Sequence, residues 1–248
     1  MKLFSQKEIE NFIVIDVETV SGHPTAAALP TRLNDLWTKR CEYLRRKHSD
    51  NEDLTDSEIY NQKAGLQAEF GKIICITIGY IRFQDGHPII KTKSYYGDDE
   101  SELLKQFFAF SEQVPTKIPD AKFIGHNIKR FDLPYIYKRG LINGLEVPSN
   151  LILHGKKPWE LNIEDTADIW SNGAWQESFT SLDILTAVLG IPSPKSDIDG
   201  SEVTNVYWQQ YDLKRIVEYC ERDVAATAQV VLKLSGLELA IDENILSV

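Results

Sequence analysis

Residues 12–20 read FIVIDVETV: four apolar residues, then Asp16, one spacer and Glu18. A short run that is apolar at every position is the pattern of a strand covered on both faces, in the middle of a sheet. No other stretch constrains the fold as much, because such a strand requires a covering layer on each side. It also poses a physical problem. Side chains at i and i+2 of a strand share a face, so Asp16 and Glu18 present two carboxylates to one spot at the strand's carboxyl end. Burying unpaired charge is expensive, so water, a basic partner or a cation must compensate. Taken alone, such a pair is an ordinary solvated strand end.

The rest of the chain supplies the expected layers. KIICITIGYIRF (72–83) and HPIIKTKSYY (87–96) read as two further strands, with QDG between them as a hairpin signal. A helix is expected at about 100–112, a strand at AKFIG, and a helix over RFDLPYIYKRG that ends at Gly140. SLDILTAVLG (181–190) reads as a short helix closed by Gly190, and DLKRIVEYCERDVAATAQVVLKL as the longest helix, with Cys220 in its buried stripe. Residues 21–68 interrupt this order and read as a mostly helical insertion. There TRLNDLWTKRCEYLRRKH has helical spacing, with Leu33, Leu36, Trp37, Tyr43 and Leu44 on one side, and Thr55 with Glu58 has capping-box spacing. Strands alternating with helices predict an α/β fold, a mixed sheet sandwiched by helices, as one domain over 1–248.

Two more acidic segments join the first. In FIGHNIKRFD (123–132), Asp132 falls in the first turn of a helix, where the dipole favours an anion and keeps it ionised. In YCERD (219–223), Tyr219 and Asp223 are four apart on one helix face. Each has a plain structural reading: a dipole-compensating acid, and a Tyr–Asp surface pair. Together they supply four carboxylates, two from a strand end and one from each of two helices. Without cations these would repel and raise one another's pKa. Hard oxygen ligands suit Mg²⁺ or Mn²⁺, and two such ions ~3.5–4 Å apart clamp the attacking and leaving oxygens in phosphodiester hydrolysis. That resolves the problem set by Asp16 and Glu18.

Composition limits the partners. The formal charge is −10, so a broad electrostatic field does not attract nucleic acid; contact has to be local, through metal or a basic groove. Cys41, Cys75 and Cys220 form no CxxC pair, indicate neither a disulfide framework nor a zinc site, and fit a reducing, cytoplasmic setting. The charged start MKLFSQKEIE has no apolar signal core, and no stretch approaches the ~20 apolar residues of a membrane span.

VIDVET, GHNIKRFDLPYI and YCERDVAAT resemble the three exonuclease motifs of the DEDD (DnaQ-like) 3′–5′ exonucleases. The tyrosine four residues before the last Asp makes the chain similar to the DEDDy branch. It resembles in particular stand-alone predicted exonucleases related to the proofreading domain of family-B DNA polymerases, from about residue 10 to 235. DTADIW (165–170) and KSDIDGSEV (195–203) agree with this.

The resemblance implies a ribonuclease H-like α/β/α fold with five strands. It implies that Asp16, Glu18, Asp132 and Asp223 bind two divalent ions, with Asp16 bridging them. Tyr219 then orients the attacking water, since a phenol of pKa ~10 is a poor base at neutral pH. The implied reaction releases nucleoside 5′-monophosphates from the 3′ end of single-stranded DNA. Exoribonucleases share the same acid–tyrosine set, so RNA is the in-class alternative. A catalytically silent binding scaffold is disfavoured, because it has no reason to hold repelling acids together.

Supporting groups carry two readings each. Asn127 contacts the terminal nucleotide or holds its turn, and Lys195 reaches a phosphate or is solvated. Asp165 and Asp168 support the site or cap helices, with capping favoured, and Phe131 is core rather than a base-stacking wedge. In HGKKPW (154–159), Lys156, Lys157 and Trp159 suit a single-strand contact, against the reading of a surface loop with an anchored tryptophan. RRKH (45–48) suits a DNA contact or compensates its helix dipole. No polymerase or repair partner is specified by these residues; a monomer or weak oligomer is expected.

Overall fold

The structure is a computed structural model that describes residues 3–174, 179–192 and 198–248. Its strands are β1 (Phe12–Ser21), β2 (Gly71–Gln84), β3 (His87–Tyr96), β4 (Lys122–Gly125), β5 (Ile163–Asp165) and β6 (Ile245–Ser247). They form one six-stranded sheet in the order β5-β4-β1-β2-β3-β6. β1–β2 and β2–β3 are antiparallel, while β1–β4, β4–β5 and β3–β6 are parallel. The expectation of five strands is corrected by β6, which pairs with Ile90–Thr92. Three residues near the end of the chain are too short a run to announce a strand by pattern.

The helices are α1 (Gln6–Ile9), α2 (Thr31–Lys47), α3 (Asp56–Lys63), α4 (Glu100–Lys117), α5 (Asp132–Ile142), α6 (Thr166–Ser171), α7 (Leu182–Val188), α8 (Val203–Asn205) and α9 (Leu213–Leu234). None among the described residues is long and apolar enough to cross a membrane. The alternation of β1 decides what each layer covers. Ile13, Ile15 and Val17 pack with Phe107 of α4 and Leu133 and Ile136 of α5. Phe12 and Val14 pack with Val224, Ala228 and Val231 of α9. Asp16 and Glu18 continue the α9-facing side of the strand.

The β2–β3 hairpin turns through Asp85 (φ 52°) and Gly86 (φ 85°), with Gln84 opposite His87, the two left-handed residues of a tight hairpin turn. Two helix ends differ from expectation. α4 runs on to Lys117 through Pro115, because Ile118 N–H still bonds to Val114 O. α5 passes through Gly140 and ends at Ile142. Gly140 is there for packing: a Cβ would sit 2.7 Å from Val147 Cγ2 and 3.0 Å from the Phe108 ring.

The insertion is helical as expected, and Thr55 and Glu58 form the capping box that opens α3. Its private core is Trp37, Cys41, Leu44, Ile59 and Tyr60. Two residues expected on the buried side of α2 face out, Leu36 and Tyr43, each 44% exposed. The short α3 covers the stripe 37–41–44 and leaves the neighbouring side of α2 in water.

A candidate metal-binding site

The acids of β1 are placed by strand alternation. Glu18 is 8% exposed and Asp16 half-buried. The register of β1 against β2 shifts between Glu18 and Thr19, so the ladder is disturbed beside the second acid; pairing then resumes to Ser21, and the expectation that the strand ends at these acids is corrected. Opposite Glu18 on β2 stands Cys75.

α5 brings Asp132 to the same place. The chain leaves β4 at Gly125, where a Cβ would meet Ile128 Cγ2 at 2.1 Å and Ile15 O at 2.6 Å. It then turns through Asn127 in the left-handed region, at φ 67°. Asp165 holds this turn: its carboxylate accepts from Asn127 N–H at 2.8 Å and Lys129 N–H at 3.1 Å, and from Ala167 N–H as the cap of α6. His126 is pinned between the Thr166 hydroxyl (2.9 Å) and Thr180 O (2.8 Å). Asp132 follows, 3% exposed, its Oδ1 accepting from Val17 N–H at 3.1 Å. That bond ties α5 to the peptide between the two β1 acids.

α9 supplies the third side. Tyr219 and Asp223 lie one turn apart on it, both half-buried, close enough for each to shift the other's titration. Between them Cys220, fully buried, directs its thiol at Asp16 Oδ2, 3.3 Å away. Ligand atoms of Asp16, Glu18 and Cys220 lie within 4.8 Å of one another; those of Asp132 and Asp223 stand outside that tightest group. Sequence reasoning had Cys220 as core filler. The signal was its spacing of three from Asp223, which puts both on one helix face.

The electrostatics follow from burial. Asp16 is held well above the ordinary carboxylate range by burial first, then by the charges of Asp132 and Asp223. Glu18 is raised by burial, then by Asp16 and Asp223. Burial also lifts Asp132 to about 7 and Asp223 to about 6. The expectation that the helix dipole keeps Asp132 ionised is therefore corrected. A dipole contributes about 0.3–1 kcal/mol at a helix end, less than burying a carboxylate costs. The Tyr219 hydroxyl is raised by burial and then by Asp223, Glu18 and Asp16.

Four acids, two within β1, one at the start of α5 and one midway along α9, all pushed toward the neutral form, are a donor set of hard oxygens, the chemistry that suits Mg²⁺ or Mn²⁺. Beside them a cavity of about 300 Å³ is lined by Ser181, Asp183, Asp199, Tyr219 and Asp223.

Other sequence candidates fall differently. The Asn127 backbone holds the turn. Asp168 pairs with Lys129 (3.2 Å) and Arg130 (3.0 Å), so Asp165 and Asp168 are structural. Phe131 packs on the core beside Tyr135. Trp159 is 78% exposed with Lys157 over its ring at 5.3 Å, so it is not an anchored residue. Arg45 is engaged inside the insertion, with Leu54 O and Asp56, while Arg46, Lys47 and His48 are exposed. Lys195 lies outside the described residues. All three cysteines are free and buried.

The chain matches, over residues 63–246, a family described as predicted 3′-5′ exonuclease related to the exonuclease domain of PolB. The match includes Asp132, Tyr219 and Asp223 and begins after Asp16 and Glu18. Among solved structures, the family B DNA polymerase from the hyperthermophilic archaeon Pyrobaculum calidifontis is similar over 90% of this chain at 13% identity, with a TM-score of 0.51. The likeness spans 27% of that polymerase chain, and it is a likeness of fold. No curated protein matches.

Proposed function

Because the chain belongs to the family of predicted 3′–5′ exonucleases related to the exonuclease domain of PolB, we propose that it hydrolyses phosphodiester bonds at the 3′ end of single-stranded DNA, one nucleotide at a time. The observation that carries this reading is the convergence of Asp16, Glu18, Asp132 and Asp223, with Tyr219 beside them.

Asp16, Glu18, Asp132 and Asp223 are the residues that would hold two divalent ions, Mg²⁺ or Mn²⁺. The chemistry such ions would supply is positive charge that lets the crowded acids ionise, and Lewis acidity toward water and the reacting oxygens. Tyr219 orients the attacking water through its hydroxyl. Its raised pKa excludes it as a base at neutral pH, so its part is to position. The new bond is between water oxygen and phosphorus, the broken one that to the 3′ oxygen, and the product is a nucleoside 5′-monophosphate. The cavity beside Tyr219 and Asp223 receives the terminal nucleotide, with Asn127 contacting it.

The test is incubation of a 5′-labelled single strand, as DNA and as RNA, with Mg²⁺, Mn²⁺ or EDTA. A one-nucleotide ladder that EDTA abolishes is expected, stronger on DNA. A stronger RNA ladder moves the substrate to RNA, and no shortening of either strand rejects the reading.

A further inference from the structure

The insertion stands against the acid-bearing elements. Gly65 is pressed on β1, where a Cβ would come within 3.1 Å of Val20 C. Tyr135 of α5 donates its hydroxyl to Gly65 O at 2.8 Å. Gly22 N–H, just past β1, bonds to Phe70 O at 2.8 Å, and the Phe70 ring packs edge-on to Trp37 of α2 at 4.9 Å. α2 is thus fastened to the strand that carries Asp16 and Glu18 and to the helix that Asp132 heads.

The outward face of α2 has an unusual make-up for this chain. The helix holds six Lys and Arg against two acids, within a chain of net charge −10. Arg45 is consumed internally, and Arg40 is half-buried with its Nε donating to Gln67 Oε1 at 2.6 Å. Leu36, Lys39, Arg40, Tyr43, Arg46 and Lys47 recur at helical spacing on one side. Tyr43 stays exposed, with Arg40 over its ring at 5.0 Å and Lys47 at 5.8 Å. Glu42 reaches Arg46 only at 4.0 Å, with both side chains mostly in water, a pairing of little energy.

Compensation of the helix dipole covers Arg46 and Lys47 in the last turn. It does not reach the exposed Lys39 in mid-helix, and it gives no reason to leave Tyr43 and Leu36 in water. Cations interleaved with an aromatic are the recipe for tracking a single strand, the cations on phosphates and the ring on a base. At 1.5 Å per residue, α2 is about 25 Å long, enough for several nucleotides.

We infer that the outward face of α2 binds the single-stranded nucleic acid upstream of its 3′ end, holding the strand whose terminus enters the acid cluster. This rests on the exonuclease reading above. The insertion supplies affinity for long strands and plays no part in the chemistry, which is how an acidic protein retains a polyanion locally.

Fluorescence anisotropy of a 5′-labelled strand of about 20 nucleotides, in EDTA so that nothing is cut, reads this face apart from hydrolysis. Neutralising Lys39→Gln, Arg46→Gln and Lys47→Gln together is expected to weaken binding about tenfold and to lower the salt slope by about 0.7 per lost phosphate contact. Tyr43→Ala alone is expected to weaken it about fivefold. Dinucleotide hydrolysis, which does not involve α2, should stay within about twofold of wild type, as should the melting temperature of these exposed variants. Unchanged affinity and salt slope overturn the inference, and so does an equal loss on the dinucleotide. A strand that binds through α2 but is never shortened when Mn²⁺ is supplied removes the exonuclease reading and leaves this face standing.

Discussion

Asp16 is the residue at which burial, charge and chemistry meet. Its carboxylate is raised by burial and by two neighbouring acids, so the fold is under electrostatic load there. Asp16→Asn keeps an acceptor for the Cys220 thiol and removes the charge. The expected result is loss of nearly all hydrolysis, together with a gain of about 1 kcal/mol in unfolding free energy measured in EDTA. Activity retained above a few per cent rejects Asp16 as a metal ligand. Tyr219→Phe removes only the hydroxyl; turnover should fall about tenfold or more while Mn²⁺ affinity by calorimetry stays unchanged. A large drop in that affinity would mean that Tyr219 serves the ions directly. At this scale the sequence was readable wherever spacing carries geometry: i and i+2 on β1, i and i+4 on α9. Cys220 was not, since a thiol in an apolar stripe looks like filler until a neighbouring strand delivers Asp16 to it. Asp165 could be read as a cap, but not as the clamp of the Asn127–Lys129 turn, which is 36 to 38 residues away in the chain.

Among the elements, α9 matters most, since Tyr219 and Asp223 ride on it together. It lies on β2 over Gly79, where a Cβ would stand 2.5 Å from Val224 Cγ1. Val224 is the neighbour of Asp223 and is stiff at χ1. Gly79→Ala should therefore lift the middle of α9, costing about 1–3 kcal/mol of stability and lowering hydrolysis several-fold in the protein that remains folded. Chemical denaturation and activity per folded molecule test both halves; full activity in a destabilised variant would show that α9 shifts without moving its side chains. Long periodic elements such as α9, β2 and β3 were legible because one pattern repeats over many residues. Helix ends and the outward face of α2 were not. An apolar side chain that the fold leaves in water has the same sequence signature as one that it buries, and only the width of α3 decides between them.

For the molecule as a whole, the load of the acid cluster gives a pH dependence with a definite sign. Asp132 and Asp223 have folded pKa values raised to about 7 and about 6 from an ordinary 3.8. Stability contributed by a raised pKa is complete below the unfolded value and disappears as pH climbs through the folded one. In EDTA the melting temperature should accordingly decline between about pH 4 and pH 7. With Mn²⁺ present the trend should reverse, since ions compete with protons for the same oxygens and stabilise whatever they bind. A melting temperature that is flat with pH and indifferent to Mn²⁺ would remove the cluster as a cation site. The sheet itself ends in short pieces: three residues of β5 on one side and three of β6 on the other, with Pro88 and Lys93 on the strand behind β6. Such margins expose few vacant peptide groups and interrupt those with a ring or a charge. Concentrated solutions of this chain therefore find little template for strand-by-strand aggregation, and a mutant lacking the last strand should be the first to form fibrils.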